Sequence, residues 1–223
     1  LHLSLRRQRQ MCIRDSSSLA LFLDLFAIAY SVKIEYLDEL KKAVDLNEEM
    51  IDQATNFIQQ HYKNFSSMSW VYSCGAGANY GTALESALKM GETIHIPSCC
   101  YEIEEYIHGP NLQLTPQYNV IFFDGNDGAS RRVEQVYKAT RKVTNRAYLI
   151  SNNPQLSRDG HVLSLSDTVS SELSPLVYLP FVQLLSFIIS NDLHSIYQHP
   201  LLKEFKAIAA AKTENFVNYD GDD

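Results

Sequence analysis

Trp70-Val71-Tyr72-Ser73-Cys74-Gly75-Ala76-Gly77-Ala78-Asn79-Tyr80-Gly81-Thr82-Ala83-Leu84-Glu85-Ser86-Ala87-Leu88-Lys89-Met90-Gly91-Glu92 decides the fold. The first four residues are a β-leaning run, the glycines permit a tight turn, and the residues from Tyr80 onward favour helix. A strand turning through glycines into a helix opens an α/β sheet, and such a sheet keeps its ligand outside the carboxyl ends of its strands.

Working outward, short apolar strands are predicted at 70–73, 93–97, 119–123, 146–151 and 161–165, separated by helical or loop segments. This alternation predicts a three-layer α/β/α sandwich with a mainly parallel five-stranded sheet. Two helices at about 17–44 and 47–64 precede it, the second carrying Met50, Ile51, Ala54, Phe57 and Ile58 at helical spacing. A helix at 128–143 turns Val133, Val136, Tyr137 and Val143 inward. Leu173 to Ile189, interrupted by Pro175 and Pro180 and without Lys or Arg flanks, reads as a helix or kinked helix pair buried against the sheet or in a dimer interface, not as a membrane span. The resulting division is a tail at 1–16, a helical lead-in at 17–64, one domain at 65–200, and a C-terminal helix with a frayed end at 201–223.

An apolar fraction of 45% suffices for a core, and the formal net charge is −7. Residues 6–15, Arg6-Arg7-Gln8-Arg9-Gln10-Met11-Cys12-Ile13-Arg14-Asp15, resemble a translated DNA-sequencing adapter, so the natural chain is expected to begin near Ser16. Discounting those four arginines and one aspartate takes the charge from −7 to −10. Such acidity gives no support to nucleic-acid binding. The apolar opening at 19–29 is too short to span a bilayer and is interrupted by Asp24. Cys74, Cys99 and Cys100 form neither a disulfide framework nor a zinc pattern, which fits a reducing, cytoplasmic setting.

Gly75, Gly77 and Asn79 offer backbone amides at a helix start to an anion or a sugar hydroxyl, or simply make a turn of small residues. Tyr80 stands where a dinucleotide fingerprint has its third glycine, and no Walker lysine follows. Glu85, Lys89 and Glu92 share a helical face, with Leu84, Ala87 and Leu88 available to the core. One reading is a solvated ion pair worth about 0.2–0.5 kcal/mol. The other makes Glu92 a carboxylate for proton transfer between adjacent sugar carbons, with Lys89 holding its ionic environment. His108-Gly109-Pro110 presents either a proton-handling histidine or a helix-terminal cap. Glu104, Glu105 and His108 are a poor metal set without a second histidine, and Cys99-Cys100 lack an identified activating base.

Taken in order and spacing, Gly75 through Glu92 followed by His108-Gly109-Pro110 resemble the sugar isomerase (SIS) family, in particular the C-terminal SIS domain of fructosamine-6-phosphate deglycases and glucosamine-6-phosphate synthases. The resemblance covers about residues 17–200. It implies Glu92 as the base moving a proton between C1 and C2, and His108 as the group assisting ring opening, reaching a neighbouring subunit's site. Glu85 and Lys89 belong to the same helix motif, and Lys203 is the counterpart of a sugar-binding lysine. The implied partners are a phosphorylated amino or ketose sugar and a second copy in a homo-oligomer; no metal or nicotinamide cofactor is expected. Such enzymes carry two SIS domains, so the chain is expected to be part of a longer protein. Without a visible glutaminase domain, a deglycase is favoured over a synthase, with a noncatalytic phosphosugar-sensing module as the alternative.

Overall fold

The structure, a computed structural model, describes residues 35–195 together with Leu21. The rest of the apolar opening, the first part of the lead-in and Lys203 lie outside the described residues. Helix α1 (Glu35–Gln60) is continuous where two helices were expected. Ala43, Leu46, Met50, Ala54, Phe57 and Ile58 are all buried, so the apolar stripe runs unbroken across residues 45–46. Ile51 faces outward. The chain breaks instead at His61, before the short α2 (Tyr62–Ser66).

The sheet comprises β1 (Val71–Gly75), β2 (Ser98–Glu102), β3 (Asn119–Asp124), β4 (Ala147–Ser151) and β5 (Val162–Ser164), all parallel, in the order β2-β1-β3-β4-β5. The expected five-stranded parallel α/β architecture is therefore present. Between the strands run α3 (Asn79–Thr93), α4 (Ile103–Ile107) with the 3₁₀ turn Pro110–Gln113, and α5 (Ser130–Thr140); α6 (Ser174–Asp192) closes the described fold. Alternate strand residues feed two cores. Val71, Ile121, Phe123, Tyr148 and Ile150 pack under α1, α3 and α6. Tyr72, Cys74, Phe122, Ala147 and Leu149 pack under α4 and α5.

The second strand lies five residues later than expected, at Ser98 instead of Thr93. Thr93 is the last residue of α3, Ile94 donates its N–H to the Met90 carbonyl, and His95 adopts a left-handed φ of 62°. The β-branched residues that suggested a strand therefore form a helix end and turn. Val143, expected to face inward, is exposed beyond α5.

Helix α6 has the length and apolarity of a membrane span by composition alone, yet most of it is buried inside this fold. Pro175 occupies its first turn, as proline can without disruption, but Pro180 lies inside one continuous helix. A proline there leaves the carbonyl of Leu176, four residues back, without its helical donor. The Asn47 side-chain amide fills the gap, donating to Leu176 O at 2.8 Å and tying α1 to α6. Asn47→Ala should strand that carbonyl and lower stability by about 1–3 kcal/mol, measured by urea unfolding.

At the foot of the sheet, His61 and His161 have ring centroids 4.8 Å apart, and Tyr148 lies beside both. Burial, then Arg141 and His61, hold the His161 pKa below its ordinary value against the opposing pull of Asp159. A histidine depressed in the folded state supports stability above its unfolded pKa of about 6.5, and that support is lost as pH falls through the folded value. Unfolding free energy should therefore drop between about pH 7 and pH 5. His161→Gln should flatten that drop in urea titrations at the two pH values.

Candidate functional site

The order β2-β1-β3 means the chain leaves β1 for one neighbour and returns to the other side, so a crevice opens at the carboxyl ends of β1 and β3. The glycine loop lies there. A Cβ on Gly75 would sit 2.3 Å from the Asn79 carbonyl oxygen, so that position demands glycine, and Gly77 has a φ of 54°, which favours it. The loop also closes on itself: Asn79 N donates to Ala76 O at 3.0 Å and Tyr80 N to Gly77 O at 3.1 Å. Asn79 is fully buried and used at both ends, donating to Ser174 Oγ at 2.7 Å and accepting from Thr82 Oγ1 at 3.0 Å. Its amide joins α3 to α6.

Facing this loop are groups that the sequence reading passed over. Asp124 accepts from Ser130 Oγ, Asn126 N and Ser151 Oγ at 2.5, 3.0 and 2.8 Å. Asp127 accepts from Ala129 N at 2.8 Å with one oxygen, while the other lies 3.1 Å from the Cβ position of Gly125 and 3.5 Å from that of Gly77. Asp-Gly and Asn-Asp-Gly after an apolar strand were the available signal. Two carboxylates beside the loop repel an anion, so the crevice suits hydroxyl or ammonium groups better than phosphate.

The ionic cluster stands elsewhere. Lys89 is 4% exposed and lies 3.1 Å from Glu85 and 3.2 Å from Glu92. Its inward position corrects the expected packing: Ala83, Ala87 and Met90 enter the core, while Leu84 and Leu88 are exposed. This is not a solvated surface pair. Burial by itself would lower the Lys89 pKa, but Glu85 and Glu92 outweigh it and leave the ammonium favoured. Glu92, at the last turn, remains 42% exposed. With a rise of about 1.5 Å per residue, α3 separates Glu92 from the glycine loop by roughly 20 Å. The expectation that Glu92 faces that loop is therefore not met; the two groups sit at opposite edges of the sheet.

His108 follows α4 as its C-cap residue, donating its backbone N–H to Glu105 O at 3.1 Å, and is exposed. Helix α4 forms because Glu102 and Glu105 make a reciprocal capping box at its start. Glu104 is held by Arg132 at 2.7 and 3.1 Å, so neither acid beside His108 is free for a metal. Among the described residues no cluster of three or more His, Cys, Asp or Glu could hold one. Because α3 covers one face of the sheet and α4 the other, Glu92 and His108 belong to helices on opposite faces. Burial, then Glu105, pushes the Cys100 thiol up to about 11, and burial raises Cys74 well above its ordinary value. Neither thiol is poised as a nucleophile.

These elements define a parallel α/β sandwich with two carboxylates beside the glycine loop and a buried Lys89 held between Glu85 and Glu92. No family model matches the chain. The chain is 26% identical over 157 residues to the isomerizing glutamine–fructose-6-phosphate aminotransferase of Sulfurisphaera tokodaii, a match covering 70% of this chain and 26% of that protein. Its fold is similar to the C-terminal domain of glucosamine-fructose-6-phosphate aminotransferase from Francisella tularensis (TM-score 0.61, 24% identity, 70% of this chain and 44% of that one). It is also similar to glucosamine-6-phosphate deaminase from Thermotoga maritima (TM-score 0.64, 19% identity, 83% and 54%). The chain has a SIS-type α/β fold. It spans about a quarter of the aminotransferase and about half of the two solved chains.

The loop geometry separates two glycines that look alike in sequence. Gly75→Ala should prevent stable folding, because its methyl group meets backbone, whereas Gly81→Ala has open space and should be neutral or stabilising by up to about 1 kcal/mol. Thermal melts of the two variants test this.

Proposed function

We propose that this chain is the C-terminal SIS portion of a phosphosugar-handling protein, with fructosamine-6-phosphate deglycation or a related ketose–aldose step as its reaction. The observation that carries the reading is the desolvated Lys89 fixed between Glu85 and Glu92, which leaves one carboxylate open to solvent at a helix end. On this reading Glu92 takes a proton from one sugar carbon and returns it to its neighbour, with Lys89 beside it. Similarity to the aminotransferases supports a phosphosugar ligand.

Because Glu92 and His108 lie on opposite faces, His108 serves a site in a partner copy, where it handles the ring-oxygen proton. A homo-oligomer follows from that division of labour. The two carboxylates beside the glycine loop favour a phosphate site on another surface. The three described cysteines are free, which supports a reducing cytoplasmic setting. The isomerase half of a glucosamine-6-phosphate synthase would use the same groups. A noncatalytic phosphosugar-sensing module is the competing reading, and it is favoured by the exposure of both Glu92 and His108.

The test uses the uninterrupted gene product with fructosamine 6-phosphates and hexose phosphates. Glu92→Gln should leave substrate binding close to the parent's and lower turnover by about 10²-fold or more. Mixing Glu92→Gln with His108→Ala subunits should restore about a quarter of parental activity, since half of the resulting dimers carry one intact composite site. Unchanged turnover in Glu92→Gln would remove the base role. Binding without turnover in the parent would establish the sensing module.

A further inference from the structure

The edge of the sheet beside Glu92 carries two histidines in a backbone conformation that histidine rarely adopts. Helices α3 and α6 run side by side. The Asn79 amide donates to Ser174 Oγ at 2.7 Å where they start, and Ser195 Oγ donates to the Thr93 carbonyl at 2.6 Å where they end. Each helix is closed by a histidine with a left-handed backbone, His95 with a φ of 62° and His194 with a φ of 51°. Glu92, His95 and His194 all lie within two residues of the Ser195–Thr93 hydrogen bond, and all three are exposed.

A left-handed residue just past a helix is ordinarily glycine or asparagine, because a larger residue's Cβ crowds the neighbouring carbonyl oxygen. Either of those would close the helix at lower cost. Two histidines held in that conformation at one place, next to an exposed carboxylate, are what a site retains when the imidazole itself is needed. Its chemistry is to take and return a proton near neutral pH. Whereas His108 stands on the opposite face, His95 follows Glu92 by three residues on the same edge.

Moving a proton between two sugar carbons entails a second movement between the oxygen or nitrogen atoms they bear. As Glu92 takes the proton from one carbon, the C–H electron pair becomes the C=C bond of an enediol or enaminol, and the carbonyl oxygen must gain a proton. As Glu92 returns its proton to the neighbouring carbon, the other heteroatom must lose one. These two transfers cancel, so a single group that first donates and then accepts serves both. We propose that His95 is that group, passing a proton between the two heteroatoms while Glu92 works on the carbons. The inference rests on the role of Glu92 proposed above.

The test compares variants of the full-length gene product in turnover of a fructosamine 6-phosphate and of fructose 6-phosphate, in pH profile and in thermal melts. His95→Asn keeps a residue that tolerates the left-handed backbone but removes the titrating ring. Its kcat should fall about 10²-fold with KM changed by less than about threefold. The parent's kcat profile should show a group near the ordinary histidine value of about 6.5, and His95→Asn should lack it. His95→Gly should melt at a higher temperature, since glycine adopts the left-handed backbone without strain, yet lose turnover to the same degree. A raised melting temperature with turnover intact would show a mere helix cap and overturn the proposal. So would a loss confined to His194→Gly. Loss of turnover in Glu92→Gln but not in His95→Asn overturns this inference alone. Full turnover in both, or a parent that binds without turnover, overturns the proposed function along with it.

Discussion

The Asp124 carboxylate ends the central strand β3 at 1% exposure, and the arrangement around the crevice depends on it. A buried carboxylate is tolerable only when its oxygens are bonded. Here they accept from Asn126 N and Ser130 Oγ at the entry to α5, and from Ser151 Oγ at the end of β4. The carbonyl of the same residue accepts from the Tyr178 hydroxyl of α6 at 2.6 Å. Burial, then Asp124, keeps that hydroxyl protonated by raising its pKa well above the ordinary value, so it remains a donor. One residue thus joins elements from both faces of the sheet.

That frame explains why the chemistry divides as it does. Helices return across a parallel sheet from the carboxyl edge to the amino edge, so a residue at the end of α3 is carried away from the loop that starts it. The glycine loop is held by Gly75 against Asn79 and by Asn79 against Ser174. The charged cluster becomes a second locus at the far edge, and His108 stands on the other face.

Helix α6 shows the same dependence of local structure on distant residues. Its interior Pro180 would ordinarily end or kink a helix. The segment stays continuous because Asn47, remote in sequence, supplies the missing donor to Leu176 O. An apolar stretch that resembles a membrane segment is likewise explained by its burial against α1 and α3, whose inward faces supply Met50, Phe57, Ala83 and Met90.

The sequence by itself determined the parallel α/β class, four of the strands to within about two residues, and the shared helical face of Glu85, Lys89 and Glu92, because these follow from local periodicity. It misplaced β2, since β-branched Thr93 and Ile94 serve a helix end as readily as a strand. It was silent on Asp124 and Asp127, whose importance comes from meeting a loop some fifty residues earlier in the chain. The burial of Lys89, the closure of Asn79 and the separation of Glu92 from both the glycine loop and His108 were decided only by tertiary structure. Spacing fixes which side of a helix a residue occupies; the direction in which that helix crosses the sheet, and what packs over it, fixes what the residue can reach.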